Sequence, residues 1–301
     1  MRAGTRLLLR IQRALGGVYL LLLAVWIAGG VLFSARGLVT TRYTVYADIA
    51  ALKDAPLRIV QLTDLHSRTF GADNRRLLDA VAAAKPDLIF VTGDMVNMDE
   101  ADVSVSASLA GALAAIAPTY LSLGNHELAH SAAFGSDFAQ IWEQGGAVLL
   151  DFSVETVTVR GMTAAVGGLY GYCTTPAEPE EEALLYALCE TEADVHLLLT
   201  HMPVCWTDGA AASVWNDIDA VFCGHSHGGQ VIWPLLGATF APDQGWFPGK
   251  IWGLFAEEDA AAVIVSRGLG GNTPVPRFNN IPELVVCEIA YREQEGSGND
   301  R

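Results

Sequence analysis

Five short segments of this 301-residue chain carry side chains suited to binding metal ions. They are Asp64-Leu65-His66, Gly93-Asp94, Gly124-Asn125-His126-Glu127, His201 and Gly224-His225-Ser226-His227. Carboxylate, amide and imidazole donors without a cysteine suit manganese, iron or zinc better than magnesium or calcium. Each segment is ordinary alone: Asp64 suits a helix cap, Gly93-Asp94 a turn, and a lone histidine packs in many cores. As an ordered set they use five of the chain's seven histidines, leaving only His130 and His196, the latter inside an apolar run. The glycines at 93, 124 and 224 permit sharp turns just ahead of the donors.

Each segment directly follows an apolar run bounded by turn residues, the pattern of a buried strand. Strands are expected at Leu57–Leu62, Leu88–Thr92, Thr119–Leu123, Val195–Thr200, Ala220–Cys223, Ala262–Ser266 and Leu284–Ile289. Val154–Arg160 and Thr163–Leu169 read as a hairpin turning at Gly161. Helical patterns lie between them: Asn74–Ala84 with Asp73 as its N-cap and Pro86 beyond its end, Val103–Ala117, Ser131–Gln144, and one beginning near Pro179. The last has Glu180, Glu181 and Glu182 in its first turn, where acids favour the helix dipole. Strands alternating with helices predict a layered α/β fold, in which ligand sites gather at the carboxyl ends of strands.

The chain is 51% apolar and 17% charged, which excludes disorder. Its net charge of −16 excludes the basic face of a nucleic-acid binder, so no nucleic-acid partner is expected. Residues 1–42 hold six arginines and no acid, and the remainder carries 12 basic and 34 acidic residues, a net of −22. The five cysteines, at 173, 189, 205, 223 and 287, have no close spacing and indicate no disulfide framework. Ala14–Ala35 is free of charge, and its 22 residues span about 33 Å as a helix, enough for a ~30 Å hydrocarbon core. We expect residues 1–13 to be a basic cytoplasmic segment and 14–35 an uncleaved transmembrane anchor. Four arginines precede it and two follow, which places the rest of the chain on the extracytoplasmic side. A cleaved signal peptide is the alternative.

The ordered set D-x-H, G-D, G-N-H-E, H, G-H-x-H resembles the calcineurin-like metallophosphoesterase superfamily. Within it, the chain looks most like the membrane-anchored bacterial branch of YkuE- and YaeI-type phosphoesterases. That likeness rests on the anchor, on G-H-S-H-G-G-Q-V at 224–231, and on S-R-G-L-G at 266–270 followed by P-R-F-N-N-x-P-E-L at 276–284. The resemblance implies a four-layer αββα sandwich of two mixed sheets over 43–292, preceded by one transmembrane helix and followed by a flexible tail at 293–301. It implies two divalent metal ions: Asp64, His66, Asp94 and His227 hold the first, and Asp94, Asn125, His201 and His225 the second, with Asp94 bridging. It implies hydrolysis of a phosphodiester or pyrophosphate bond by a hydroxide between the metals, with His126 protonating the leaving oxygen or hydrogen-bonding a phosphoryl oxygen. Glu127 stands where Asp is commoner in the family, and the matching ligand is Asn125.

Trp233, Phe240, Trp246, Phe247 and Trp252 fall in a Gly/Pro-broken segment after His227, which reads as a core-covering loop or as an apolar lip beside the metals or the membrane interface. Arg267 and Arg277 are candidate phosphate clamps for the substrate, with a structural ion pair the competing role. Anchor, lip and clamp together point to a lipid or nucleotide-linked lipid as substrate, by analogy with family members that cleave UDP-diacylglucosamine. That precursor is made on the cytoplasmic face, opposite to the topology read from the arginines. Two other functions compete: a metal-binding interaction module without catalysis, and a membrane protease built on His126-Glu127-Leu128-Ala129-His130, which fits H-E-x-x-H. The protease needs both histidines on one helix face. Here the segment is expected at a turn, with His130 facing solvent.

Overall fold

The computed structural model describes residues 3–171, 178–208, 210–242, 244–271 and 275–292. Apolar residues alternate along the central strands, and this period of two builds three apolar layers from two sheets. Leu57, Ile59, Leu88 and Phe90 point inward, to meet Leu197, Leu199, Ala220 and Phe222 from the opposing sheet. Val60, Leu62, Ile89 and Val91 point outward, under Leu77, Val81, Leu109 and Leu113 of the helices Arg75–Ala84 and Ser104–Ala114. On the far side Leu198, Val221 and Cys223 face Leu184, Leu185 and Leu188 of the helix Pro179–Glu190. Helix, sheet, sheet and helix therefore stack as four layers, as the family resemblance implies.

The first sheet has six strands in the order Val39–Ala47, Glu283–Tyr291, Leu57–Leu62, Leu88–Thr92, Thr119–Ser122, Val148–Leu149. Only the pairing of Glu283–Tyr291 with Leu57–Leu62 is antiparallel. The second sheet runs Gly253–Phe255, Ala262–Val265, Ala220–Cys223, Val195–Thr200, Met162–Leu169, Ser153–Val159, antiparallel only at its two edge pairs. Both sheets are mixed. Every strand expected from the apolar runs is present, to within a residue or two at its ends.

Four expectations need correction. The sheet begins at Val39, before residue 43, because Val39–Ala47 pairs with Glu283–Tyr291 along its whole length. Its Thr- and Arg-interrupted pattern is that of a half-exposed edge strand. Asp73 does not cap a helix: both Asp73 and Asn74 have positive φ, and Asn74 Oδ1 accepts from the Phe70 N–H at 2.8 Å in a local turn. The helix read at Ser131–Gln144 is two helices, Asn125–Phe134 and Phe138–Glu143, separated at Gly135 (φ 72°). The second of these is capped by Asp137, which accepts from the Gln140 N–H. The H-E-x-x-H segment therefore lies on a helix rather than at a turn. The expected tail at 293–301 and Cys173 lie outside the described residues; Cys189, Cys223 and Cys287 are free thiols.

The N-terminal helix runs Ala3–Arg36, and Leu7–Arg36 is long and apolar enough to cross a membrane by length and composition. Most of its apolar side chains are exposed, but its last turns pack on the domain. Trp26 meets Phe278 edge-on with ring centres 4.9 Å apart, and buried Ser34 Oγ accepts from the Asn280 N–H at 3.0 Å.

Candidate metal centre

The carboxyl ends of strands from both sheets converge at one edge of the sandwich. Gln61 ties the sheets together there: its Nε2 donates to Thr92 Oγ1 (3.0 Å) and to the Cys223 carbonyl (2.8 Å). The loops beyond these strand ends bring the expected donors into two overlapping groups. Asp64, His66, Asp94 and His227 each offer one ligand atom within 4.8 Å of the others, and Asp94, His201 and His225 do likewise. Asp94 is common to both.

The backbone is strained to aim these side chains. Asp64 (φ 52°), His66 (49°), Asp94 (55°), His225 (66°) and His227 (48°) all lie in the left-handed region. Non-glycine residues rarely adopt it, and such outliers gather at functional sites. Gly93 (φ 81°) makes the sharp turn expected of it. Gly124 and Gly224 serve differently: a Cβ on Gly124 would lie 2.2 Å from Asp94 Oδ1, and one on Gly224 would lie 2.0 Å from Thr63 Oγ1. They allow close approach of backbone to side chain.

Neighbouring hydrogen bonds orient the donors. The His201 Nδ1–H donates to the Thr92 carbonyl at 2.8 Å, which turns Nε2 toward Asp94 Oδ2 at 3.3 Å. The His225 N–H donates to Asp64 at 3.1 Å and the His126 N–H to Asp94 Oδ1 at 2.8 Å. Burial raises the Asp64 carboxyl to about 6 and lowers the His66 imidazole to about 3. Burial and nearby His66 also lower His227. His66 and His227 are thus neutral, and meet Nε2 to Nε2 at 3.2 Å, with Asp94 and Asp64 oxygens 3.7 and 3.5 Å away. These two neutral imidazoles beside buried carboxylates fit a divalent cation, which needs deprotonated ligands, whereas Asp94 raises His201 to about 10 against the effect of burial, so a cation there would displace its proton. Asn125 Oδ1, which lines the same cavity as Asp94, is buried without a hydrogen-bond partner among the described residues, and a bound cation would satisfy it.

A cavity of about 150 Å³ opens beside the cluster, lined by Asp94, Asn125, His126, His225, Ser226, His227, Gln230, Phe240 and Pro242. Arg267 and Arg277 do not line it. Arg267 pairs with Glu283 at 2.9 Å. Arg277 is buried; it donates to the Gly270 carbonyl (2.7 Å) and the Arg267 carbonyl (2.7 Å), and lies 3.4 Å from both the carbonyl and Nδ1 of His227. The structural role that competed with the phosphate clamp is the one these contacts describe.

The protease arrangement is absent from this helix. His130 is fully buried, not solvent-facing: its Nε2 pairs with the Glu100 carbonyl at 2.8 Å and its ring packs on Phe134 and Phe138. Glu127 accepts from the N–H groups of Asp94 (2.8 Å), Met95 (2.7 Å), Val96 (3.2 Å) and Gly124 (2.8 Å), so it has no oxygen free to activate water. Sequence reasoning assigned no role to Glu127. The structure shows that it clamps the Asp94 loop to the Asn125 helix. Its adjacency to Asn125-His126 was the available signal.

Comparison with known proteins agrees with this geometry. Residues 57–229 match the family model described as calcineurin-like phosphoesterase. The chain is similar to phosphodiesterase YaeI of Escherichia coli, 30% identical over 80% of this chain and 86% of that one. It is also similar to the metallophosphoesterase YkuE of Bacillus subtilis, 24% identical over 83% and 85%. A dimetal phosphatase from Danio rerio aligns over 78% of this chain and 93% of its own, with 11% identity and a TM-score of 0.44. The clustered donors and the family match together point to a two-metal site. The chain belongs to the calcineurin-like phosphoesterase family, whose members hydrolyse phosphoric esters.

Proposed function

We propose that this chain is a two-metal phosphodiesterase or pyrophosphatase acting on a phosphoester carried by a lipid, held to a membrane by its N-terminal helix with the domain on the extracytoplasmic side; a nucleotide-linked lipid made in the cytoplasm would require the opposite topology. Asp64, His66, Asp94 and His227 would hold one ion, and Asp94, Asn125, His201 and His225 the other. The observation that carries this reading is the sharing of Asp94 between two donor groups, with His66 Nε2 3.7 Å and His201 Nε2 3.3 Å from its Oδ2. When bound, the ions lower the pKa of a water molecule and neutralise phosphoryl charge; manganese, iron and zinc each suit the donors.

His126 borders the same cavity. The Met98 N–H donates to its Nδ1 at 3.1 Å, which leaves the ring proton on Nε2. Burial lowers its pKa, so the ring is neutral and donates a hydrogen bond from Nε2 to a phosphoryl or leaving oxygen. Of the two roles implied by the family, this supports the hydrogen bond. Phe240 and Pro242 give the same cavity an apolar portion.

The test is turnover of bis-p-nitrophenyl phosphate by chelated protein, which should be nil and should return with Mn²⁺, Zn²⁺ or Fe²⁺. Asp94→Ala should abolish it, because both ions lose a ligand. Full activity in excess chelator after exhaustive dialysis would overturn the reading.

A further inference from the structure

One segment of the chain touches the N-terminal helix at Trp233 and the metal cavity at Phe240. Trp26 of the helix packs on Phe278 at 4.9 Å and on Trp233 at 6.1 Å, and Trp233 packs on Phe278 at 5.4 Å. Gly30 lets the helix approach closely, since a Cβ there would sit 2.4 Å from the Phe278 ring. The same segment exposes Leu235, Leu236, Trp246 and Phe247, and Trp246 packs at 5.6 Å on Phe240, which lines the cavity. Leu235, between the paired strands Ile232–Trp233 and Gly237–Ala238, is fully exposed at φ 68°. Glycine or asparagine is the ordinary occupant of such a turn. A leucine held there, strained and solvated, is explained by a neighbour that shields it.

The length of the helix says what that neighbour is. Arg13 is the last charge before Trp26, and 13 residues of helix rise about 20 Å. A ~30 Å hydrocarbon core starting near Arg13 extends past Trp26. Whatever packs on Trp26 therefore lies at or within the outer edge of the apolar layer. Trp233 packs at that level, with exposed Leu235 and Leu236 two and three residues further on, and tryptophan is favoured there.

We propose that Trp233, Leu235, Leu236, Trp246 and Phe247 form a second membrane contact, seated in the bilayer leaflet beside the helix, so that the metal cavity opens at head-group level to a phosphoester carried by a lipid. The proposal rests on the reading of the helix as a membrane span and deepens the substrate reading. Substrate enters along the membrane plane past Phe240, its acyl chains still in the leaflet.

The test uses the full chain, one copy per nanodisc, in phosphatidylcholine brominated at shallow acyl carbons, which quenches tryptophan on contact. Trp246→Phe and Trp26→Phe variants should each quench less than the parent protein. Quenching that falls for Trp26→Phe but is unchanged for Trp246→Phe leaves the span intact and overturns the second contact. Quenching unchanged in both overturns the span itself. A drop for Trp246→Phe only in discs holding two chains would assign the face to a second copy and equally overturn the proposal. A Leu235→Asp, Leu236→Asp variant adds a functional readout. Its turnover of soluble bis-p-nitrophenyl phosphate should stay within about twofold of the parent. Turnover of a vesicle-borne nitrophenyl phosphodiester lipid should fall at least tenfold. Equal rates on both substrates in parent and variant would refute delivery from the leaflet.

Discussion

Replacing Glu127 with Gln changes one oxygen to an amide and keeps the shape, yet it should be among the more damaging changes near the centre. In the parent, Oε2 accepts from the N–H groups of Asp94 and Gly124, and Oε1 from those of Met95 and Val96. All four donors are backbone groups that cannot turn away. Whichever oxygen becomes NH₂, two buried N–H groups lose their acceptor and face another donor. Each unsatisfied buried donor costs about 1–3 kcal/mol, so the loss should be about 2–6 kcal/mol. In a domain of this size each kcal/mol moves the melting midpoint by about 2–4 °C, so a fall of at least about 4 °C is expected. Because the carboxylate holds the Asp94 turn against the Asn125 helix, metal affinity should drop about 10–100-fold, the usual effect of removing a partner that orients ligands. Thermal unfolding of the detergent-solubilised chain, with Mn²⁺ titration after chelation, measures both. A midpoint within 1 °C of the parent together with unchanged Mn²⁺ affinity would refute the clamp.

His126→Ala should keep both metals and lose about 10²–10³-fold in turnover, the usual effect of removing one hydrogen-bond donor to developing negative charge; loss of metal along with activity would show it to be a ligand instead. His130→Ala should keep metal and turnover in the folded fraction but lower stability by about 2–4 kcal/mol, since it removes a buried ring and its hydrogen bond; an unchanged urea midpoint would contradict that. Ser34→Ala should strand the buried Asn280 N–H, whose side chain donates to the His227 carbonyl at 2.6 Å, and lower the melting midpoint by about 2 °C or more. No change, or a mature chain beginning beyond Ser34, would mean the helix is not part of the working protein. A reporter fused to the C-terminus should be active only outside the cytoplasm, and activity of a cytoplasmic reporter would reverse the topology.

The metal donors were legible from sequence because they follow buried strands, whose apolar runs are short, dense and bounded by glycine. Leu57–Leu62 and Val195–Thr200 needed no tertiary information to be read, and Asp64 and His201 came with them. The Asn125–Phe134 helix was read as starting too late, because its first turn is occupied by donor residues rather than by an apolar face. Val39–Ala47 was missed because an edge strand buries only one side, so half of its residues are polar.

Other features are properties of the packed chain alone. Nothing local to Arg277 or Arg267 foretells their contacts; the Gly270 carbonyl and His227 beside Arg277, and Glu283 beside Arg267, are brought in by the fold. His130 looked like a surface residue because its neighbours Ala129 and Ser131 are small and polar or neutral, whereas the Glu100 carbonyl that buries it arrives from a loop 30 residues away. Glu127 appeared as a minor departure from a pattern, and only the crossing of two loops gives it four amides to hold. Sequence by itself determined which side chains could bind metal and at which strand ends they sit, since strand period and donor chemistry are local. The division of donors around Asp94, the left-handed turns that aim them, and the seating of the helix against Phe278 and Asn280 were decided by tertiary structure, because each depends on groups that meet only when the two sheets close on each other.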